Sequence, residues 1–530
     1  MPRLTDFTSY ADAQKYYSKA AVWKLFDGTK ETFNITKECI DRHANDDSRV
    51  AVRIAYSDGR RDHLTYSRLM TRSAQFSHWL ADKGIRAGDR VAFMLDPSEA
   101  FYISLFGTMR AGAIGVPLFT LFGPDGLRLR VDDCRPRLLI VAPEKAQMAR
   151  EATDVEVVEA DTEFLRSLDR FPASYDSGTR AADTAILQYT SGTTRELPAA
   201  VAHSHGSLVV LMAAALYGSG IRPGDAFFCP SSPAWGHGLW HGTLAPLALG
   251  VTTGTLSGKF DASNLVSALK EFRVTNLSAA ATHYRMMKLA GSLDPSEFVL
   301  EKISYTGEPI DSSTLDFVEN TFGILACSMY GTTEIGVVLV NYPGADDFEV
   351  KRGSLGKPVP GIRLEVRTAQ GTPSPCNEVG ELFLERRGTW LSTKDLSTVD
   401  SDGYFFHAGR ADDVIISAGW TMSAAEIENV LMKHDDVREA AVIGVPDSTR
   451  GQIVKAFVVA KRATSAEFIK ELQDFTRKHL SQHEYPRQIV ITDELPKTPA
   501  GKINRKILRD REKASPAAPP SELARAAIGA

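Results

Sequence analysis

Cysteine is scarce and never closely paired. The chain has five in 530 residues, Cys39, Cys134, Cys229, Cys327 and Cys376, and none forms a CxxC spacing. That excludes a disulfide scaffold and the usual cysteine-paired zinc sites, and it reads as reduced, buried thiols of a cytosolic protein. A basic excess is also missing: 61 Lys and Arg stand against 66 Asp and Glu, a net charge of -5. A general nucleic-acid binder would show a basic surplus or stripe, so that class is set aside. No apolar run approaches the roughly 18 residues of a membrane-spanning helix. The first residues, Met1-Pro2-Arg3-Leu4-Thr5-Asp6, lack the apolar centre of a secretion signal. The expectation is a soluble, cytoplasmic protein without a membrane or nucleic-acid partner. No internal repeat is found.

What is present is ordinary globular material, with 43% hydrophobic and 24% charged residues. A chain this long is expected to divide into two or three units. Through about the first four hundred residues, short apolar runs alternate with helical stretches. "RVAFML" (Arg90 to Leu95), "RLLIVA" (Arg137 to Ala142) and "TAILQYT" (Thr184 to Thr190) read as buried strands, and Ser98 to Arg110 as a helix. This alternation predicts an α/β fold of stacked layers with largely parallel sheets. After about Arg410 the texture becomes that of a compact α+β unit: "DVIIS", a helix over "SAAEIENVLMKH", strands "REAAVIGV" and "VKAFVVA", and a helix from about Ala466 to Leu480. The expected division is residues 1–410, a large N-terminal domain, and 411–512, a small C-terminal domain. Residues 513–530, rich in Ala and Pro, are expected to be a disordered tail.

Four segments carry chemistry. "QYTSGTT" (Gln188 to Thr194) follows a strand and offers backbone N–H and hydroxyl groups without bulk, as a polyphosphate requires. "MYGTTEIG" (Met329 to Gly336) sets an aromatic ring for stacking beside a carboxylate suited to magnesium. In "KDLSTVDSDGYFFHAGRADDVIISAGW", Asp395 can accept from both ribose hydroxyls and Arg410 can hold ribose or phosphate. "LPKTPAGKINRK" (Leu495 to Lys506) carries Lys502 on a Pro-, Thr- and Gly-rich loop able to deliver a positive charge. Each segment alone is compatible with a plain polar loop.

Together, in this order, they resemble the acyl-adenylate-forming superfamily of acyl-CoA synthetases, peptide-synthetase adenylation domains and luciferases. The resemblance runs from about Phe33 to Arg509 and is closest in texture to bacterial CoA ligases and medium-chain acyl-CoA synthetases. "LTYSRL", "GDRVAFML", "RAGAIGVPL", "TGEPI" (Thr306 to Ile310) and "GSLGKPVPG" (Gly353 to Gly361) support it.

The resemblance implies an AMP-forming acyl-CoA synthetase using ATP, Mg2+ and coenzyme A, with a small C-terminal domain that rotates between two half-reactions. Thr190, Ser191, Gly192, Thr193 and Thr194 would cover the β- and γ-phosphates. Gly307, Glu308 and Pro309 would line the adenine opposite Tyr330, in the run Tyr330-Gly331-Thr332. Thr333 would touch the α-phosphate, Glu334 would hold magnesium, and Asp395 with Arg410 would take the ribose. Lys502 would bridge the substrate carboxylate and the α-phosphate. Asp412 would be the hinge, and Gly419 and Trp420 of "SAGW" would guide pantetheine. "SSPAWGHGLWHG" (Ser231 to Gly242) occupies the acid-pocket region: Trp235 and His237 are candidates for its wall, and Ile335, Gly336 and Val337 for its floor. The acid would be a hydrophobic monocarboxylate, medium-chain, alicyclic or aryl. His203, His205 and His237 are read as structural rather than metal ligands.

Two departures stand out. The phosphate loop usually continues Gly, any residue, Pro, Lys, but here it runs Arg195-Glu196-Leu197-Pro198-Ala199, one residue longer and without the lysine. The ribose motif usually reads Thr-Gly-Asp, but here reads Thr393-Lys394-Asp395. Two alternatives stay open: an enzyme that loads a carrier protein, and a non-catalytic nucleotide-binding relative. No carrier domain is expected after Arg509.

Overall fold

The computed structural model describes residues 3–189, 200–291, 293–307, 310, 312–332, 335–368, 370–410, 414–418, 420–496 and 505–514. The run "RVAFML" forms the strand Arg90–Met94, buried over almost its whole length. It is buried because it lies inside a six-stranded sheet, parallel to Ile114–Pro117 on one side and to Leu138–Val141 on the other. Strands covered on both faces need continuous apolar runs rather than alternation. Thr184–Tyr189 extends the sheet in parallel beyond Ile114–Pro117, and Ala200–Ser204 turns back antiparallel at the edge. The helix Glu99–Arg110 begins where Ser98 Oγ accepts from Phe101 N at 3.3 Å. Its residues from Ala100 to Arg110 are all buried, as expected of a helix apolar on every side. The one cation there, Arg110, is matched by Asp41 at 2.8 Å and by Ser73.

A second sheet has nine strands, and its centre is parallel from Val50–Tyr56 through Thr253–Ser257, Phe227–Phe228, Asn276–Ala280 and Lys302–Thr306 to Cys327–Thr332. The largest core fills the space between the two sheets and includes Phe93, Ile186, Leu239, Leu244, Met329 and Val340. The alternating α/β pattern stops earlier than expected. After the strand Cys327–Thr332, the chain to Arg410 is antiparallel β, ending in a sheet of Arg363–Arg367, Gly380–Arg386, Thr389–Val399 and Phe405–Arg410. Its strands show the period of two that one solvated face imposes, clearest in Gly380–Arg386.

Beyond this sheet lie the hairpin Val414–Ser417 and Trp420–Ser423, the helix Ala424–Leu431, and a three-stranded sheet of Val437–Asp447, Gly451–Ala460 and Gln488–Ile491. The helix Ala466–His479 packs Phe468 and Leu472 into a separate core with Ile427, Leu431 and Val442. The helix Arg505–Ala514 seats Leu508 beside Ile443 and Ile453; residues 515–530 of the expected tail lie outside the described residues. The C-terminal unit rests on the loop that follows Ile114–Pro117. Phe119 lies 4.4 Å from Trp420, which stacks on His483 at 4.3 Å. Gly123 N donates to Leu480 O, and Lys433 pairs with Asp125 at 3.1 Å. A Cβ at Gly123 would overlap Lys478 O, so the approach requires glycine.

Cys39, Cys134, Cys229 and Cys327 are buried, but Cys376 is exposed, which corrects the reading of all five as buried. It sits in the Pro-rich connection before Gly380–Arg386, where no core is available. Among the described residues no helix is long and apolar enough to cross a membrane.

Burial also sets the acid response. It pushes His43, His203, His205, His241, His283 and His483 down from 6.5 to about 4. The unfolded chain therefore binds more protons than the folded one between these two values, so stability falls as pH drops through that window. Urea midpoints taken from pH 6.5 to pH 4 should decrease steeply; a flat profile would contradict these burial assignments.

Candidate active site

Thr184–Tyr189 delivers two consecutive side chains to opposite faces of its sheet. Tyr189 points outward, its hydroxyl 2.7 Å from Asp133 Oδ2 and 2.9 Å from the carbonyl of Arg130. Gln188 points inward and is buried. Its Oε1 accepts from Trp240 Nε1 at 3.1 Å and its Nε2 donates to Ala234 O at 3.4 Å. The amide thus clamps both ends of the turn that holds Trp235, directly before Thr190. Thr190, Ser191, Gly192, Thr193 and Thr194, with Arg195 and Ala199, lie outside the described residues.

The turn runs into a π-helix, His237–Leu244, in which Ala245 N donates to Trp240 O. Such wide turns are rare and concentrate at functional sites. Trp235 is half-buried with its ring 5.5 Å from that of His237. His237, expected on the pocket wall, is only 6% exposed and both its nitrogens are engaged. Nδ1 lies 3.0 Å from Ser231 Oγ and Nε2 lies 2.8 Å from Ser278 Oγ. Burial holds its pKa well below the ordinary imidazole value, with His241 and His283 adding to the effect. Its ring is neutral and braced on both sides by serine hydroxyls. The bonding continues from Ser304 Oγ to Ser278 Oγ at 2.8 Å, tying the turn to two parallel strands of the second sheet.

Those strands end together. Lys302–Thr306 leads into Gly307, whose φ of 94° is a conformation that favours glycine. Thr306 Oγ1 donates to Met329 O at 2.7 Å, and the next residue along, Tyr330, donates its hydroxyl to Asp395 Oδ2. Two motifs 65 residues apart in sequence therefore meet in one hydrogen bond. Asp395 is 3% exposed, and across the ladder its backbone faces that of Arg410. His407 Nε2 stands 3.9 Å from Asp395 Oδ1. Gly331 is packed so closely on Gly336 that a Cβ would overlap its carbonyl oxygen. Gly336 is exposed and Ile335 and Val337 half-buried at the end of this hairpin. Thr332 ends the strand Cys327–Thr332.

Lys394 has a structural explanation. Its φ is 64°, at the irregularity where Thr389–Val399 leaves register. A left-handed residue explains why glycine is usual in the motif. The Lys394 side chain is mostly exposed and reaches Glu381 only at 3.9 Å, a contact worth little. Ala418 has the same conformation, φ 55°, in the two-residue turn before Trp420. Glu308, Pro309, Thr333, Glu334, Asp412, Gly419 and Lys502 lie outside the described residues. Sequence reasoning did not single out Trp240, Phe119, His407 or His483. Two of them had a visible signal, an aromatic in the acid-pocket segment and a histidine in the ribose motif.

Replacing Lys394 by glycine should raise the stability of the protein by about 1 kcal/mol, the lower end of the cost of a left-handed L-residue. Chemical denaturation measures it; a loss of stability would mean that the lysine side chain contributes more than its geometry suggests.

Comparison with known proteins places the chain in a family. Residues 41–391 match the model of the AMP-binding enzyme family, and residues 426–502 match the AMP-binding enzyme C-terminal domain. The acyl-CoA ligase YtcI of Bacillus subtilis (strain 168) is 30% identical, covering 86% of this chain and 91% of its own. The fatty acid–[acyl-carrier-protein] ligase ScoC of Streptomyces coeruleorubidus is 33% identical, covering 84% and 91%. The crystal structure of a Brucella canis acyl-CoA synthetase superposes with a TM-score of 0.71 at 31% identity, over 96% of this chain and 99% of that one. With more than half its length matched and both domains found in order, the chain belongs to the AMP-binding enzyme family.

Proposed function

We propose that this acid–thiol ligase, an AMP-forming acyl-CoA synthetase by class, activates a medium-chain, alicyclic or aryl monocarboxylic acid with ATP and passes the acyl group to coenzyme A. The observation that supports it most is the hydrogen bond from Tyr330 to Asp395, since an adenine platform and a ribose acceptor are useful only when adjacent.

The acid needs no general base, because a carboxyl with a pKa of roughly 4 to 5 is ionised at neutral pH. A carboxylate oxygen attacks the α-phosphorus while the bond to pyrophosphate breaks. Two anions must approach, and Lys502 between them lowers the repulsion; loss of such a contact costs about a hundredfold or more in rate. Asp395 and Arg410 hold the ribose, Gly307 and Tyr330 the adenine, and the Thr190 to Thr194 loop the phosphates. One carboxylate, Glu334, completed by phosphate oxygens and water, is a donor set that suits magnesium, which would screen the departing pyrophosphate. In the second step the thiol sulfur attacks the acyl carbonyl, its proton is lost, and AMP leaves. The packing of Trp420 on Phe119 supports a role for the Ser417 to Trp420 turn in this step, with Gly419 leaving room for pantetheine and Asp412 as hinge. A carrier-protein thiol is the second reading, favoured by the likeness to ScoC.

Incubation with ATP, magnesium, CoA and a panel of acids, read by mass spectrometry, should yield acyl-CoA and AMP, and Lys502→Ala should abolish both. AMP without acyl-CoA would move the acceptor to a carrier protein. No AMP with any acid would contradict the proposed reaction.

A further inference from the structure

A line of stacked side chains joins the two units, and none of the roles above uses its central member. It begins at Trp420, whose ring is 4.4 Å from that of Phe119. Phe119 meets Phe122 edge-on at 5.5 Å. The Arg130 guanidinium then lies 3.8 Å from the centre of the Phe122 ring and 6.0 Å from that of Tyr189. Tyr189 directly precedes Thr190 in the chain. Arg130 stands on the helix Pro124–Cys134, is only 1% exposed, and donates from Nη1 to Gly126 O at 2.7 Å. Its carbonyl lies 2.9 Å from the Tyr189 hydroxyl, so one residue meets Tyr189 at both its ring and its hydroxyl.

The start of the same helix is where the C-terminal unit rests. Phe122 pairs with Ser481 in an antiparallel bridge, and Gly123 N donates to Leu480 O. A guanidinium taken out of water is costly unless its surroundings replace the water. Aromatic faces do this only while they stay over the cation. The placement of Phe122 under Ser481 therefore bears on where Arg130 settles, and the placement of Arg130 bears on Tyr189.

We propose that Arg130 is a positioning residue for ATP: it makes the placement of Tyr189, and of the phosphate loop that begins with the next residue, depend on the seating of the C-terminal unit at Phe122 and Gly123. The inference rests on the reading of Thr190 to Thr194 as the phosphate loop. Neighbouring residues then serve different ends, since Gln188 holds the acid turn and Tyr189 answers to the helix. The coupling is reciprocal, so ATP favours seating by the factor by which seating favours ATP.

ATP–pyrophosphate exchange by Arg130→Met, Gly123→Ala and the double variant, with ATP and acid titrated separately, tests the proposal. Methionine nearly keeps the length of the side chain and removes a buried charge, a change that folded proteins often tolerate. Arg130→Met should raise the KM for ATP about tenfold and leave the KM for the acid unchanged. Arg130→Lys, which retains the charge, should recover part of that loss. Gly123 has a φ of -78°, open to any residue, and an added methyl meets Lys478 and His479 of the C-terminal unit first. Gly123→Ala should therefore raise the KM for ATP in the unaltered protein and add nothing to Arg130→Met. A lower folded fraction reduces kcat and does not imitate a change in one KM. An unchanged KM for ATP in Arg130→Met, an equal rise for both substrates, or effects of the two substitutions that simply multiply would each overturn the proposal. Absence of exchange by the unaltered protein with every acid overturns the proposed reaction, and this inference with it.

Discussion

Much of this site hangs on one side-chain amide. Gln188 stands at the end of a strand, two residues before Thr190, and its two hydrogen bonds seize the segment that carries Trp235 and Trp240. From there a line of buried polar contacts continues through His237, Ser278 and Ser304. A second short line, Thr306 to Met329 and Tyr330 to Asp395, finishes at the ribose motif. Buried polar groups must find partners or destabilise the fold, so these contacts fix where one sheet stands relative to the other. The proposed adenylation needs such fixity, because segments carried by both sheets must meet at one reacting centre.

The same burial keeps the histidines of this region neutral. His237 and His241 lie within 6.1 Å of each other by ring centroid, and two imidazolium ions could not share that space. Neutral rings can bridge hydroxyls in either direction, and that lets a serine–histidine chain cross a core otherwise made of Leu, Phe and Val. Among the described residues, the C-terminal unit meets the N-terminal one around Phe119, Phe122, Gly123 and Asp125, through the Trp420 ring, a backbone bridge between Phe122 and Ser481, the Gly123 to Leu480 hydrogen bond, and the approach of Lys433 and His479 to Asp125.

Sequence reasoning recovered what short-range physics encodes. Continuous apolar runs such as Arg90–Met94 read as buried strands, and the stretch from Ser98 to Arg110 as a helix. The resemblance alone assigned Asp395 and Tyr330 to one nucleotide, and the sequence did not pair them. Their hydrogen bond spans too much chain for any local pattern to reveal. Trp240 was missed for the same reason, since its partner Gln188 is 52 residues away. The antiparallel stretch ending at Arg410 was absorbed into the α/β pattern because hairpins with half-buried faces alternate weakly when loops are short. Lys394 stayed without explanation until its backbone conformation was known, because lysine gives no sign of a left-handed turn. The partners of His237, Ser231 and Ser278, were not legible either, because Ser278 lies 41 residues away.

The most direct test of this account is ATP–pyrophosphate exchange by Gln188→Met, which keeps the volume of the side chain and removes both hydrogen bonds, with acid and ATP titrated separately. If the amide aligns the acid turn with the phosphate loop, the KM values for both substrates rise together, by about tenfold for two lost bonds of ordinary strength. A rise for only one substrate, or for neither, would show that the two halves of the site are aligned by something else.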